Sequence, residues 1–185
     1  MNNIIIADAN HLDRVVFDLT VNFERMLGRR IPKADLARWA ECIALDGGLR
    51  EGDNHIHVAL VHDTDTTAME YFIPSDFADE IDGKAFKSPL GEFTFSVVKR
   101  EPDVGGGDLL CDTVAFLASQ AETKRLMIIP DEERDYERVR QLLHHADPDK
   151  HYTLFAMQPM PGGNYRQEIL GYSLMAALGI RGEEF

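Results

Sequence analysis

The sequence is short of cysteine, of cationic side chains and of long apolar runs, and each shortage excludes something. Its two cysteines, Cys42 and Cys111, lie far apart and share no metal-type spacing. Neither a disulfide framework nor a cysteine-rich zinc site organises such a chain, so they read as reduced, buried thiols. Lys and Arg number 19 against 32 Asp and Glu, a formal charge of -13. That surface repels phosphate backbones at long range, and any nucleic-acid contact needs a local basic patch or bound cations. No apolar stretch is long enough to span a bilayer. Asp8 interrupts the first apolar run too early for a signal peptide, and no basic region precedes it. These features predict a cytoplasmic protein with no membrane partner. The chain has no Gly-x-Ser-x-Gly elbow. Its Gly105-Gly106-Gly107 run lacks the lysine and spacing of a P-loop.

What is present describes one ordinary globular domain. The 185 residues, 44% hydrophobic and 28% charged, suit a single domain over 1–185 with its own core. Ile4-Ile5-Ile6-Ala7 is an apolar run of the kind that forms a strand covered on both faces. Leu12, Val15, Val16, Leu19, Phe23, Met26 and Leu27 follow at helical spacing, and Gly28 marks the stop. Pro32 is expected to open a second helix with Leu36, Trp39, Ala40 and Ile43 inward. Strands are expected over 55–61 and 69–73, with Ser75 capping a short helix through Phe77 and Ile81. Residues 91–99 alternate, with Phe93, Phe95 and Val97 on one face, as in a half-covered strand near an edge. Helices at 108–120, 136–145 and 164–178 and strands at 126–129 and 152–157 complete the pattern, with a loop over 101–107. Strands alternating with helices predict a three-layer α/β fold, a mainly parallel sheet flanked by helices with Rossmann-like topology. The stretch 63–89 fits that scheme least well.

Parallel topology has a chemical consequence. The carboxyl ends of the strands and the N-termini of the following helices share one edge of the sheet. Asp8 ends the first strand, Asp63 and Asp65 follow the second, Asp108 and Asp112 open a helix, and Asp131 and Asp135 follow another strand. Asp108 and Asp112, four apart, share a helix face. Clustered carboxylates repel one another unless a cation sits among them. Hard cations such as Mg²⁺ or Mn²⁺ suit an all-oxygen set and activate water for phosphoryl chemistry. Capping and the helix dipole alone also place acids at helix N-termini. Asp8 is the harder residue to explain that way, because it directly follows a buried strand.

The order of these elements resembles the PIN-like nuclease superfamily, in particular its NYN branch. Ile4-Ile5-Ile6-Ala7-Asp8-Ala9-Asn10 resembles the strand ending in Asp-x-Asn. Gly106-Gly107-Asp108-Leu109-Leu110-Cys111-Asp112 resembles the Gly-x-Asp element at the start of the middle helix. Met127-Ile128-Ile129-Pro130-Asp131-Glu132-Glu133-Arg134-Asp135-Tyr136 resembles the strand and acid-rich turn that come later. The resemblance implies a metal-dependent endoribonuclease-like hydrolase. Asp8, Asp108 and Asp131 or Asp135 would ligate Mg²⁺ or Mn²⁺, Asp112 would be a further ligand or support, and Asn10 would orient Asp8 or the substrate phosphate. RNA would be the substrate. Two departures are plain. The family's tight Ser-Gly-Asp-Ser-Asp turn is longer and more charged here, and Gly105-Gly106-Gly107 stands where a basic residue is common. The alternative is a non-catalytic PIN-like domain that binds a protein partner or dimerises. A third reading is a doubly wound nucleotide-binding regulator using the glycine run.

His55 and His57 lie two apart on a strand and share a face; with His62 and Asp63 they form a transition-metal candidate, against which an exposed strand face is the simpler account. Arg25, Arg29, Arg30 and Lys33, and the pair Lys99-Arg100, read as solvated surface. The final helix carries apolar residues on more than one face, including Tyr165, Ile169, Tyr172, Leu174 and Met175. Such a helix is deeply buried or forms an interface, and a homodimer contact is expected there.

Overall fold

In the computed structural model, which describes residues 2–101 and 108–184, six parallel strands and one antiparallel strand form a single sheet between two helical layers. In chain order the elements are β1 (Asn3–Asp8), α1 (Ala9–Leu27), β2 (Ala34–Asp35), α2 (Leu36–Asp46), β3 (Asn54–His62) and β4 (Phe72–Ile73). There follow β5 (Ala85–Ser88), β6 (Gly91–Lys99), α3 (Leu109–Ser119), β7 (Arg125–Ile129), α4 (Tyr136–His144), β8 (His151–Ala156), β9 (Arg166–Ile169) and α5 (Leu170–Ala177). The sheet order is β5-β6-β3-β1-β7-β8-β9, and β2 pairs with β4 apart from it. Among the described residues, no helix is long and apolar enough to cross a membrane.

The pleat of β1 shows why the core has two halves. Successive strand side chains point to opposite faces. Ile5 and Ala7 pack with Leu12, Trp39, Ile43 and Leu174, whereas Ile4 and Ile6 pack with Leu110, Val114, Tyr136 and Val139. Helices α1, α2 and α5 therefore cover one face, and α3 and α4 the other. The chain leaves β1 towards β3 and β6, then returns to the other side of β1 with β7. The carboxyl end of β1 is thus the topological switch point, where open α/β sheets form their crevice.

Several expectations need correction. Pro32 does not open α2; the short strand β2 intervenes, and Asp35 caps the helix by accepting from the Arg38 N–H. The short helix after β4 is one π-turn, Phe77–Ile81, capped by Asp76 rather than Ser75. Strand β6 does lie near an edge and is half covered, as its alternation predicts; β5 pairs antiparallel with it and forms the edge itself. Met26 is exposed rather than part of the buried stripe of α1. The expected helix over 164–178 is a strand and a shorter helix, β9 and α5. Leu170, Leu174, Ala177 and Leu178 are buried, Tyr165 and Met175 are partly buried against the core, and Tyr172 is exposed. The burial that a dimer contact was expected to supply is largely intramolecular. The glycine run 105–107 lies outside the described residues.

Candidate functional site

The acid edge forms at the switch point, and an arginine occupies its centre. Asp8 ends β1 and caps α1, accepting from the His11 N–H at 3.0 Å through Oδ1. Its Oδ2 accepts from Arg100 Nη2 at 3.0 Å. Asp108 caps α3 through Oδ2, which accepts from the Leu110 N–H at 3.0 Å, and its Oδ1 accepts from Arg100 Nε at 3.0 Å. Asp63, just past β3, accepts from Arg100 Nη1 at 3.1 Å. Asp135 stands 3.8 Å from Arg100 Nη2. Three faces of one guanidinium thus meet three carboxylates, with a fourth alongside, in a pocket where Arg100, Asp8, Asp108 and Asp135 are all buried. The fork of the guanidinium suits this arrangement, since it offers five donors in one plane.

Arg100 directly follows β6, and the β3–β6 register carries it to the same sheet edge as the acids, with its N–H bonded to the His62 carbonyl at 2.8 Å. The sequence predicts solvated surface for Lys99-Arg100, but Arg100 is 6% exposed, because its guanidinium turns inward to the acids. A topological signal existed. A cation at the carboxyl end of an inner strand shares its edge with the acids. Arg134, in the turn before α4, adds a second guanidinium, with Nη2 3.1 Å from Asp108 Oδ1, and it is half exposed.

The electrostatics follow. Burial opposes charge on Arg100, but the charges of Asp8 and Asp108 outweigh it and hold its pKa above the ordinary arginine value. Asp108 is likewise opposed by burial, yet its bond to Arg100 and the charges of Arg100 and Arg134 keep its pKa below the usual range. Asp135 is the exception: burial and the neighbouring Asp108 carboxylate push its pKa up to about 6. Among the described residues its Oδ2 is buried with no hydrogen-bond partner, and its Oδ1 accepts from Cys111 Sγ at 3.7 Å. Burial and the charges of Asp135 and Asp108 push the Cys111 thiol up to about 12.

The other predicted residues are distributed differently. Asn10 does not reach Asp8; its Oδ1 accepts from the Asp63 N–H at 2.7 Å and its Nδ2 donates to Thr66 at 3.3 Å, so it pins the turn after β3. Asp131 pairs with Arg14 at 2.9 Å and caps its own turn by accepting from the Glu133 and Arg134 N–H groups. Asp112 and Asp65 are exposed and, among the described residues, neither pairs with Arg100. Among the described residues the histidines do not form a metal set. His57 bonds to Thr94 and Ser96 on β6, His62 stacks on Phe77 at 4.2 Å, and His55 lies beside Glu92. Cys111 was not predicted as a site residue. Its side of α3 faces Asp135, a contact between the first turns of two helices that spacing alone does not reveal.

Asp108, Cys111 and Asp135 each offer a ligand atom within 4.8 Å of the other two, a buried acid–thiol cluster that could bind a metal ion. The family of unknown function DUF6621 matches residues 1–185, and the chain belongs to that family. No curated protein matches the chain, and no solved structure matches it.

Proposed function

From a family without an assigned activity, we propose that this chain is a PIN-like domain in which an internal guanidinium has taken the place of the divalent cation, and that it acts as a protein-interaction or dimerisation module. The observation that supports this most is Arg100. It satisfies Asp8, Asp63 and Asp108 simultaneously, with every contact near 3 Å. A dication entering among these acids would have to displace Arg100 or sit against it and Arg134. Charge repulsion in a poorly solvated site makes that costly. The thiol of Cys111 is a further mismatch, because Mg²⁺ and Mn²⁺ prefer oxygen donors. Binding surface is available elsewhere: Phe17 and Val21 lie one helical turn apart on α1 and are exposed, and Phe17 stacks on Tyr71 at 5.0 Å.

A second reading, the metal-dependent phosphodiesterase acting on RNA, draws on one observation. Asp8, Asp108 and Asp135 gather at one edge, as that chemistry requires. They would hold Mg²⁺ or Mn²⁺, which would activate water when bound. One titration separates the readings. Mn²⁺ is titrated calorimetrically into the wild type, Arg100→Gln, and the Asp8→Asn, Asp108→Asn double variant. We expect no stoichiometric binding by the wild type, and binding by Arg100→Gln once its guanidinium is gone. Stoichiometric binding by the wild type, lost in the double variant, would overturn the arginine-closed reading in favour of the metal enzyme.

A further inference from the structure

At the opposite edge of the sheet the charge reverses. Arg125, His151 and Arg166 stand at the first positions of β7, β8 and β9, and the register pairs Arg125 with His151 and Arg166 with Thr153. Parallel strands place all of these at the amino edge. The β1–β7 register sets Arg125 level with Asn3, five residues before Asp8, so they stand about 16 Å from the acid cluster at roughly 3.3 Å per residue. A cavity of about 410 Å³ opens there, lined by Arg125, Lys150, His151, Asn164, Tyr165 and Arg166. Pockets of that size hold small molecules.

Two observations distinguish this edge from ordinary basic surface. First, the two arginines converge. A Cβ placed on Gly48 would stand 2.8 Å from Arg125 Nη1 and 3.7 Å from Arg166 Nη1, so both guanidiniums border the same point. Second, Arg125 is incompletely used. Its Nη1 donates to the Gly47 carbonyl at the end of α2, but its Nε is buried with no hydrogen-bond partner among the described residues. Among the described residues Arg125 has no carboxylate partner. Burial, together with the charges of Arg166 and Arg50, lowers its pKa, the response of a cation among cations. Two acids lie nearby: Glu168 pairs with Arg166 at 2.8 Å, and Asp46 sits close to both. Two acids against Arg50, Arg125 and Arg166 leave one positive charge in excess, and Arg125 is the arginine with no carboxylate against it among the described residues. In a chain of charge -13, such a local cationic excess at a concave site favours an anion there.

We infer that the cavity at the amino edge of β7, β8 and β9 binds the phosphate group of a small phosphate monoester, held by Arg125 and Arg166. Guanidiniums match phosphate oxygens in planar, charge-assisted bonds. Tyr165 and Asn164 also line the cavity and offer an aromatic ring and an amide to the organic portion. The site is separate from the acid edge and does not depend on whether that edge binds metal.

The test is a titration followed by backbone amide shifts, using inorganic phosphate, ribose 5-phosphate and sodium chloride at matched ionic strength. Wild type, Arg125→Gln, Arg166→Gln and a control, Arg29→Gln, are compared. We expect saturable shifts at residues 47–48, 125 and 164–166 with both phosphates but not with chloride. We expect affinity to fall at least tenfold in each site variant and to be unchanged in Arg29→Gln. Tighter binding of ribose 5-phosphate than of inorganic phosphate assigns the monoester; the reverse assigns free phosphate to the same arginines. Arg166 is largely exposed, so Arg166→Gln keeps the fold and the test stands even where Arg125→Gln does not. A phosphate response no larger than that to chloride, or one that survives in Arg166→Gln, overturns the inference.

Discussion

Asp135 shows how one buried carboxylate makes stability depend on pH. Its pKa is about 6 in the fold against an ordinary value of 3.8. A group whose folded pKa is raised contributes its stability in full below the unfolded value and loses it as pH rises through the folded one. The loss therefore falls between about pH 4 and pH 6, and a displacement of this size corresponds to at most roughly 3 kcal/mol. Asp108 acts in the opposite sense: its pKa is depressed, so its contribution is present above 3.8 and is lost as pH falls. Asp135→Asn is expected to be more stable than the wild type at pH 7.5, with the advantage vanishing at pH 4, in urea unfolding at the two pH values. An advantage that persists unchanged at pH 4 would remove ionisation of Asp135 as its cause. At the centre of the cluster, Arg100→Met should destabilise strongly, by about 3–5 kcal/mol, because it strands buried carboxylates.

At the scale of elements, the joins carry the information. Asp8, Asp35, Asp76 and Asp108 each accept from a backbone N–H at the start of the helical segment they precede. Two of these caps, Asp8 and Asp108, also hold Arg100. One carboxylate oxygen closes a helix while the other faces the cluster, which ties the site to the ends of β1 and α3. Two glycines show how differently a join can depend on its residue. Gly28 ends α1 at φ 65 with open space where a Cβ would stand. Gly91 begins β6 at φ 136, and a Cβ there would meet the Asn54 backbone of β3 at 2.0 Å. Gly28→Ala should cost about 1 kcal/mol, the ordinary penalty for a left-handed residue. Gly91→Ala should cost several times more, since β3 and β6 must separate, and equilibrium unfolding of the two variants measures the difference. Equal losses would show that the β3–β6 approach has slack.

Across the whole molecule, charge is unevenly placed. The net charge of -13 coexists with a guanidinium-filled acid edge and a cationic amino edge. Exposed like charges repel and are screened by salt, whereas the buried Arg100 pairs are screened far less. Raising sodium chloride from 10 to 150 mM should therefore raise the melting temperature of the wild type. Arg100→Met should show a salt response of similar size from a lower starting point. A wild type that melts lower in salt would mean that the ion pairs, and not the surface repulsion, dominate its electrostatics.

Much of this was legible in the sequence because it depends on local periodicity. The apolar run at Ile4–Ala7, the stripe of α1 with its Gly28 stop, and the alternation of 91–99 each reflect a one-dimensional pattern that burial must satisfy. The placement of acids at one edge followed from parallel topology alone. Other features depended on contacts between distant segments. Residues 164–178 divide into β9 and α5 because Arg166–Ile169 pair with β8, a partner that outweighs the helical pattern. Asn10, Asp112 and Asp131 share the acid edge in sequence logic, but their side chains turn to other neighbours or to solvent. By itself, then, the sequence determined the layers of the fold and the edge on which acids gather, since hydrophobic spacing and strand order suffice for both. Only the tertiary structure decided that Arg100 stands among them. Residues 8, 63, 100 and 108 are brought within hydrogen-bond reach at the ends of three strands, β1, β3 and β6, with 100 and 108 on the one connection from β6 to α3, and no spacing along the chain encodes the meeting of those three ends.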